Sequence, residues 1–584
     1  MPNLVKLTID GFEVEVPEGT TVLEAADKLN IKIPRLCFLK DINEIGACRM
    51  CIVDTGGYAF QAACVLPVAN GMNVKTNTHE VREARRINLK LLLSNHDKKC
   101  LSCVRSQNCE LQKLCMELGV DDDGEYAGDI NEYNIDQLSP SIVRDNNKCI
   151  NCRRCVSVCK NNQYVGVIGA VNRGFTTEIA SAWGMSLNDT ACVACGQCIV
   201  YCPVGALREK SEIDNVWAAL SDPNKHVVVQ TAPAVRAALG EEFGMPMGTN
   251  VTNLMVDALH RLGFEKVFDT DFGADETIME ESAELVRRIK TGGVLPMTTS
   301  CCPSWVKFAE TYYPEFLPNV STCKSPHQMA GATVKSYYAQ HAGIDPKTIY
   351  TVSVMPCTAK KFEKNRPEME NDDVRNVDAV ITTRELARMI KEAGIDFVNL
   401  NDGFKFDKLM GESTGAGTIF GAAGGVAEAA LRTAYESITG ETLENVDFAE
   451  VRGTKGLKEA NIQMGDKTIR CAAVNGLTNA AELFDSIKRG EKEYDFIEVM
   501  ACPGGCVNGG GQPIITPEVR EKTDPRAIRA SALYNADKNM PKRKSHENEE
   551  IKALYREFMI EPGSHVAHEY LHTHFYERPL YTDK

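Results

Sequence analysis

Residues 149–160 read CINCRRCVSVCK, and residues 192–203 read CVACGQCIVYCP. In each run two residues separate the first three cysteines, and the fourth cysteine follows three residues later. This spacing is typical of bacterial domains with two 4Fe–4S clusters, in which each fourth cysteine binds the other cluster. Such a spacing rarely occurs twice in one chain by chance, so we do not expect these cysteines to bind zinc. The first cluster would be bound by Cys149, Cys152, Cys155 and Cys202, and the second by Cys192, Cys195, Cys198 and Cys159.

The rest of the chain has the composition of an ordinary multidomain globular protein. Of its 584 residues, 43% are apolar and 25% are charged, which excludes wholesale disorder, collagen and coiled coil. The formal net charge of −15 argues against nucleic acid and anionic membranes as partners. There is no apolar run near the ~20 residues that span a bilayer and no secretory signal, so we expect a cytoplasmic protein. Twenty-three cysteines in such a chain indicate metal or redox chemistry rather than disulfides.

Residues 1–79 predict a β-grasp domain that holds a 2Fe–2S cluster. Residues 4–16, LVKLTIDGFEVEV, alternate like a hairpin and break at Asp10-Gly11, and Thr21 with Glu24 forms a capping box for the next helix. Four cysteines follow at spacings that differ from the plant-type pattern, so a four-cysteine zinc site is the alternative. The predicted ligands are Cys37, Cys48, Cys51 and Cys64.

Residues 80–128 predict a small second domain with one histidine among its metal ligands. An amphipathic helix at 80–93 precedes His96, Cys100, Cys103 and Cys109. These four side chains could hold zinc, or a 4Fe–4S cluster with one imidazole ligand. With the two-cluster ferredoxin-like domain at 129–210, the first ~210 residues would form an electron wire of four clusters.

Residues 211–584 predict an α/β domain with largely parallel sheets. The β-branched runs HVVVQTAP at 226–233 and YTVSVMPC at 350–357 end in loops and alternate with helical stretches. Ligands bind at the carboxyl ends of strands in such folds. Four cysteines in positions of this kind or in glycine-rich loops suit a fifth cubane, namely Cys302, Cys357, Cys502 and Cys506.

Three motifs in this last domain carry a resemblance to a known family. TSCCPSW at 299–305, MPCTAKKFE at 355–363 and ACPGGCVNGGG at 501–511 resemble the catalytic signatures of iron-only (FeFe) hydrogenases. The resemblance covers almost the entire chain, including the order of the accessory clusters. It implies an H-cluster, in which a 4Fe–4S cubane shares one cysteine sulfur with a two-iron subsite carrying carbonyl, cyanide and azadithiolate.

The resemblance also assigns roles to individual side chains. Cys302, Cys357, Cys502 and Cys506 would bind the cubane, and Cys506 would supply the bridging sulfur. Cys301 would stay free beside the azadithiolate amine, and Lys360 would donate to a cyanide. Met355 and Met500 would pack against the two-iron subsite, and Ala232 and Pro233 would line its cyanide side. Two positions depart from the family, since Ala234 stands where serine is frequent and His327 where glutamine is frequent.

A proton route can be read from residues 278–289, IMEESAELVRRI. Glu281, Glu284 and Arg288 fall on one face of a predicted helix. A solvated charged face is the ordinary interpretation of such a stripe. The resemblance instead implies a relay from Cys301 through a water to Glu281, then through Ser321 and Glu284 to Arg288.

The sequence therefore predicts an enzyme that interconverts protons, electrons and dihydrogen. Ferredoxin or flavodoxin would carry the electrons, and maturation enzymes would supply the two-iron subsite. The alternatives are a cluster-bearing subunit of a larger NADH or formate oxidoreductase, a hydrogen sensor, and an iron–sulfur assembly factor. The sequence HEYLH at 568–572 matches a zinc-peptidase pattern, but we interpret it as a structural helix.

Overall fold

The computed structural model describes residues 3–121 and 124–582. Residues 1–2, 122–123 and 583–584, which belong to three of the predicted domains, lie outside the described part. Its architecture is the mixed α and β, multidomain fold that the sequence predicts. None of the helices in these two ranges is both long and apolar enough to cross a bilayer.

The N-terminal part begins with the predicted hairpin. Asp10 and Gly11 both have positive φ, at +50° and +87°, as a tight two-residue hairpin turn requires. The Thr21 hydroxyl accepts the Glu24 N–H at 3.2 Å, which completes the predicted capping box. A later strand then adds in parallel to the first strand. The elements are β1 (Leu4–Ile9), β2 (Phe12–Pro17), α1 (Val22–Lys28), β3 (Ile52–Val53), β4 (Gln61–Ala62) and β5 (Asn73–Val74).

Short elements hold the cysteine loops that follow. Two helices pack through apolar residues that share one core with the ferredoxin-like region. That region has two antiparallel strand pairs, β6 with β9 and β7 with β8. The elements are α2 (His79–Ser94), α3 (Glu110–Leu118), β6 (Ile142–Arg144), α4 (Arg154–Ser157), β7 (Gly169–Val171), β8 (Glu178–Ala180), α5 (Gln197–Val200) and β9 (Leu207–Glu209).

The C-terminal part contains two four-stranded sheets with helices around them. The first half comprises α6 (Ile213–Leu220), β10 (His226–Thr231), α7 (Pro233–Arg236), α8 (Thr252–Leu262), β11 (Lys266–Asp269), α9 (Thr270–Thr291), β12 (Met297–Thr298), α10 (Pro303–Tyr312), α11 (Pro326–Thr333), α12 (Ala339–Ala342), β13 (Ile349–Met355), α13 (Ala359–Glu363), β14 (Glu370–Asn371), β15 (Val374–Arg375), β16 (Ala379–Thr382) and α14 (Thr383–Glu392). The second half comprises α15 (Gly415–Thr418), α16 (Gly425–Thr439), β17 (Leu457–Met464), β18 (Lys467–Asn475), α17 (Leu477–Lys488), β19 (Phe496–Met500), α18 (Pro517–Arg520), α19 (Pro525–Asn539), α20 (Glu549–Leu554) and α21 (His565–Leu571).

The topology of these sheets places all the predicted catalytic motifs at strand ends. One sheet has the order β11-β10-β13-β16 and is entirely parallel, and the other has the order β12-β19-β18-β17. In the second sheet only β17 is antiparallel to its neighbour. The motifs at 231–235, 299–305, 355–363 and 501–511 each follow the carboxyl end of a parallel strand. The two sheets thus present four loops to one region, as expected for α/β folds.

Helix α9 is buried along most of its length, although it carries many acidic residues. Its first sixteen residues include six buried carboxylates, at Asp271, Asp275, Glu276, Glu280, Glu281 and Glu284. The Glu281 side chain is 0% exposed and that of Glu284 is 3% exposed. The stripe read from the sequence is therefore not a solvated charged face.

Candidate active site and metal centres

A cavity of about 800 Å³ lies where the loops of the two sheets meet. Its wall includes the five cysteines that the sequence analysis places at the catalytic centre. Burial raises the pKa of each of these thiols, that of Cys357 to about 11. Such thiols become thiolates when a metal supplies positive charge, so this donor set fits an iron–sulfur cluster. The cysteines are Cys301, Cys302, Cys357, Cys502 and Cys506.

Backbone contacts fix the cysteine loops around the cavity. Cys302 caps α10, and its Sγ accepts the Ala501 N–H at 3.5 Å, which joins the loops after β12 and β19. Gly505 has φ +95°, a conformation that favours glycine. A Cβ on Gly509 would lie 2.2 Å from the Pro356 carbonyl oxygen, so only glycine permits this approach.

The remaining wall is apolar and carries one cation. Met355, Met500, Ala232 and Pro233 all line the cavity, where the sequence analysis places them. Lys360 Nζ donates to the Cys301 carbonyl at 3.0 Å and to Glu363 Oε2 at 2.9 Å. Burial alone would lower the pKa of this lysine, but the charge and hydrogen bond of Glu363, together with the nearby Cys357 and Cys301, raise it. A charged ammonium in an apolar wall suits an anionic ligand.

Sequence reasoning missed the carboxylate that holds this lysine. Glu363 lies three residues after Lys360 on one helix, and that spacing is the signal that could have revealed it. His327 Nε2 lies 2.6 Å from the same oxygen of Glu363, and burial lowers the pKa of His327 to about 4. Burial opposes ionisation of Glu363, yet Lys360 and His327 bring its pKa to about 2. Ala234 also lines the cavity without a hydroxyl.

The predicted relay residues are neighbours from Cys301 outward. Cys301 interacts electrostatically with Glu281, and Glu281 Oε1 accepts the Ser300 N–H at 3.3 Å. Glu281 Oε2 is buried and has no hydrogen-bond partner among the described residues. Ser321 Oγ donates to Glu284 Oε2 at 3.0 Å and lies close enough to Glu281 to act on the pKa of that carboxyl.

The two glutamates of the relay differ in their ionisation. Burial, with a smaller contribution from the charge of Glu284, raises the pKa of Glu281 to about 8. Burial acts on Glu284 in the same direction, but the charge and hydrogen bonds of Arg288 hold its pKa below the ordinary value. Arg288 Nη2 lies 2.6 Å from Glu284 Oε1. Glu281 can therefore gain and lose a proton near neutrality, and Glu284 is an anion at rest.

Two smaller cavities separate the ferredoxin-like cysteines into two groups. In each group the fourth cysteine comes from the other sequence run, which is the crossing that the spacing predicts. One cavity, of about 430 Å³, is lined by Cys149, Cys152, Cys155 and Cys202. The other, of about 440 Å³, is lined by Cys159, Cys192, Cys195 and Cys198.

The four cysteines of the β-grasp region also come together. The Cys37 thiol lies within hydrogen-bonding contact of the Cys48 and Cys64 thiols, and Cys51 contacts Cys64 in the same way. Asn43 links this group to the ferredoxin-like region. Its Nδ2 donates to the Cys37 carbonyl at 2.7 Å and to the Cys152 carbonyl at 3.1 Å.

The His96 group packs against Pro203 and Gly205 of the ferredoxin-like region. His96 Nδ1 is buried without a hydrogen-bond partner in the described residues, as expected for a nitrogen that can bind a metal. A Cβ on Gly205 would lie 2.5 Å from Cys103 Sγ. Cys109 Sγ lies 3.8 Å from the Pro203 carbonyl oxygen, and Cys100 begins the short helical turn before Cys103.

Close backbone packing joins the second ferredoxin-like group to the large cavity. Thr358 Oγ1 donates to the Ala194 carbonyl at 2.7 Å, and Thr358 directly follows Cys357. A Cβ on Gly510 would lie 2.3 Å from the Cys195 carbonyl oxygen. The cysteine groups therefore form a connected series that ends at the large cavity.

This fold and series of sites define an iron–sulfur oxidoreductase, and family models sharpen that class. Residues 225–510 match the iron only hydrogenase large subunit, C-terminal domain, and residues 523–578 match the iron hydrogenase small subunit. Residues 3–79 match a 2Fe–2S iron–sulfur cluster binding domain. Residues 85–123 match the NADH-ubiquinone oxidoreductase-G iron–sulfur binding region, and residues 148–206 match a 4Fe–4S dicluster domain.

Individual relatives give the same result. The chain is 49% identical to the NADP-reducing hydrogenase subunit HndD of Solidesulfovibrio fructosivorans, over 99% of both chains. It is 46% identical to iron hydrogenase 1 of Clostridium pasteurianum, over 97% of this chain and 99% of that one. A solved variant of the FeFe-hydrogenase HydA1 from Chlamydomonas reinhardtii has a TM-score of 0.57 at 43% identity. That match covers 63% of this chain and 99% of the other.

The chain belongs to the iron-only (FeFe) hydrogenase family, which confirms the resemblance read from its three motifs. It combines 2Fe–2S and 4Fe–4S accessory domains with a hydrogenase H-cluster domain. The HEYLH sequence at 568–572 falls within the small-subunit match, at the end of α21. Both ring nitrogens of His572 have protein partners there, at Thr322 and Glu280.

Proposed function

We propose that this chain reversibly reduces protons to dihydrogen with electrons from reduced ferredoxin or flavodoxin. One observation carries the proposal, which is that a single cavity brings together four cysteines and a fifth cysteine, Cys301, that interacts with the first glutamate of a buried chain. A metal site alone would need only the four ligands. Burying carboxylates costs free energy, so such groups are concentrated at sites where they have a function such as proton transfer.

The residues of the chain fit a definite set of cofactors. We propose one 2Fe–2S cluster at the Cys37 group, a 4Fe–4S cluster at the His96 group, and two 4Fe–4S clusters in the ferredoxin-like region. Cys302, Cys357, Cys502 and Cys506 would hold the H-cluster cubane, with Cys506 toward the two-iron subsite. When bound, the H-cluster supplies a Lewis-acidic iron and a nearby amine base for splitting or forming dihydrogen. Dedicated maturation enzymes would deliver its two-iron part.

The residues around that site handle the proton and exclude water. The Cys301 thiol passes a proton between the cavity and Glu281, whose pKa of about 8 lets it both accept and donate. Ser321 transfers the proton to Glu284 through its hydroxyl group. Lys360 keeps its positive charge toward the cavity because Glu363 holds it from behind. Met355 and Met500 keep the reacting region apolar.

The accessory groups give electrons a path into the cavity. We propose that electrons enter at the Cys37 or His96 group, pass to the Cys149 group and then to the Cys192 group. Asn43 and Gly205 support the two entry contacts, and Gly510 supports the last one. The division into 1–79, 80–128, 129–210 and 211–584 is our proposal for the domains that carry these steps.

A partner subunit is a second candidate for the electron donor. One relative that aligns with nearly the whole chain is named as a subunit of an NADP-reducing hydrogenase. Leu101, beside Cys100, is fully exposed at 101%, and Tyr58, after the Cys51 loop, is exposed at 108%. Such apolar side chains beside the entry clusters would fit a protein partner. Hydrogen evolution by the purified chain with reduced ferredoxin alone would favour the soluble carrier, and a requirement for additional subunits would favour the complex.

We also propose a cytoplasmic location. All 23 cysteines lie in the described part of the chain, and none of them forms a disulfide there. Thiols persist in a reducing compartment, where disulfides are rare.

A further inference from the structure

The outer end of the relay has a contact that the relay itself does not explain. Thr322 Oγ1 lies 3.2 Å from Glu284 Oε2 and 2.8 Å from His572 Nδ1. His572 Nε2 in turn lies 3.0 Å from Glu280 Oε2. A continuous series of polar atoms therefore runs from Glu284 through Thr322 and His572 to Glu280.

Arg288 cannot complete the relay by chemistry of its own. A guanidinium does not release its proton in proteins, so Arg288 can orient Glu284 but cannot exchange protons with it. Its Nη1 already donates to the carbonyls of Val294 and Pro318, and its Nη2 to that of Val320. Arg288 is thus a fixed anchor, and Glu284 needs a different group for proton exchange.

We propose that His572, acting through Thr322, exchanges protons with Glu284 and forms a second branch of the proton relay. This proposal rests on the proposed hydrogen activity. The branch leads to the C-terminal helix α21, where the ring of His568 lies 4.1 Å from the ring of His572. Histidine suits this position because its two ring nitrogens can each donate or accept a proton, and here they contact Thr322 and Glu280.

The proton balance of the branch is simple, and no electrons move. The protonated imidazole of His572 gives its Nδ1 proton to Thr322 Oγ1. At the same time the hydroxyl proton of Thr322 passes to Glu284 Oε2, which becomes the neutral acid. His572 is left as neutral imidazole and takes up another proton from solvent or from His568. In hydrogen oxidation the same steps run in reverse.

Titratable and charged groups from several elements surround His572. Helix α9 brings two carboxylates and two cations near it, the segment before α11 brings a thiol, and the C-terminal region brings a phenol and an imidazole. Tyr555 Oη donates to Glu280 Oε1 at 2.5 Å, so Glu280 is fixed on its other side. The groups are Glu280, Glu284, Arg287, Arg288, Cys323, Tyr555 and His568.

The test compares His572→Gln and Thr322→Val in the fully loaded protein. His546→Gln is a matched control, because His546 makes the same pair of contacts elsewhere, with Glu436 at 2.9 Å and Thr433 at 3.2 Å. We expect each test variant to lower kcat for hydrogen evolution about three- to tenfold, which is less than the ~10²–10⁴-fold effect of losing an essential proton-transfer group because only one branch is removed. The KM for the electron carrier should not change, and the solvent isotope effect should rise. The control should behave as the wild type.

A third variant separates proton transfer from a structural role. His572→Ala should lose activity and regain it when imidazole is added, because free imidazole can replace the lost ring. The branch is overturned if His572→Gln and Thr322→Val keep the wild-type kcat and pH profile. It is also overturned if imidazole does not rescue His572→Ala while the carbonyl and cyanide infrared bands are intact. A wild-type protein that evolves no hydrogen would overturn the proposed function as well, which distinguishes the two failures.

Discussion

Cys301 and Cys302 are adjacent in the chain, yet their surroundings differ. Cys302 caps a helix and its sulfur accepts a backbone N–H from the loop after β19, while Cys301 interacts with the Glu281 carboxylate. The first environment suits a metal ligand and the second suits a proton carrier. Residue spacing alone could not separate them, and only the family resemblance assigned them different roles, because the distinction depends on residues about 20 and 200 positions away.

Replacing Cys301 should therefore stop turnover without removing iron. We expect Cys301→Ala to lower hydrogen evolution by ~10²–10⁴-fold, since a methyl group cannot carry a proton. Cys301→Asp should recover part of the rate, because a carboxylate can. Cys302→Ala should instead lose iron. Iron analysis and infrared spectra measured beside activity would check this, and loss of the carbonyl bands in Cys301→Ala alone would reverse the assignment.

The raised pKa of Glu281 predicts how stability depends on pH. A glutamate in the unfolded chain ionises near 4.5, whereas Glu281 in the folded protein ionises near about 8. Between these values the folded state holds a proton that the unfolded state has lost, so stability falls as the pH rises. At ~1.4 kcal/mol per unit, the upper limit of this loss is about 4–5 kcal/mol.

Glu281→Gln should remove that loss, because an amide stays neutral. Its unfolding temperature should fall less than that of the wild type between about pH 5 and about pH 8. Glu284→Gln is the matched control, because the pKa of Glu284 is lowered rather than raised. The charge of Glu284 stabilises the fold at pH values above the pKa of an unfolded glutamate, and this contribution is lost as the pH falls. Equal pH slopes for wild type and Glu281→Gln would contradict the buried, proton-holding state of Glu281.

At the scale of elements, glycine contacts set the spacing between neighbouring cluster sites. A Cβ on Gly510 would collide with the Cys195 carbonyl, so Gly510→Ala should push the ferredoxin-like loop away from the cavity. We expect carrier-driven hydrogen evolution to fall about tenfold or more, on the order of a misplaced reactant. Exchange of deuterium gas with water should persist, because it needs no external electrons.

The control for this change is Gly169→Ala, in the ferredoxin-like region that Gly510 contacts. A Cβ at Gly169 meets nothing within 4 Å, so carrier-driven activity should stay at the wild-type level. Parallel losses of both reactions in Gly510→Ala would show that the substitution damages the cavity itself rather than electron delivery.

The loop that carries His96 offers a second element-scale test. The imidazole is neutral and a thiolate is negative, so His96→Cys should keep a 4Fe–4S cluster but lower its reduction potential. Redox titration followed by electron paramagnetic resonance would measure the shift. Cys471→Ala, at a buried thiol that lines none of the three cysteine-lined cavities described above, is the control. If His96→Ala leaves iron content and all reduced-cluster signals unchanged, His96 is not a ligand.

The sequence predicted local features well because their signals are local. The spacing of the cysteine runs at 149–160 and 192–203 predicts their cluster groups. Thr21 and Glu24, three residues apart, predict the start of a helix. The strand-end positions of the catalytic motifs also followed from short β-branched runs. These patterns depend on neighbours in sequence.

What the sequence could not give depends on contacts between distant segments. Nothing near Glu284 reveals that Thr322 and His572 meet it, since those residues are 38 and 288 positions away. The role of Glu363 required His327 to approach from another helix. The burial of the charged helix α9 likewise appears only when α11 and α16 pack against it.

At the scale of the whole molecule, the proposed electron path and the proposed proton path meet at one cavity. The proposed electron path follows the cysteine groups, and the proposed proton path follows α9. Neither path would support the reaction alone, because proton reduction needs protons and electrons at the same site. The account therefore depends on what the cavity holds.

Infrared spectroscopy of the anaerobically purified protein tests that point most directly. Protein produced with the maturation enzymes should show carbonyl and cyanide stretching bands and evolve hydrogen. Protein produced without them should be brown from its iron–sulfur clusters, show no such bands and remain inactive. Full hydrogen evolution without the bands, or a matured protein that contains all its iron but shows no carbonyl or cyanide bands, would contradict the account.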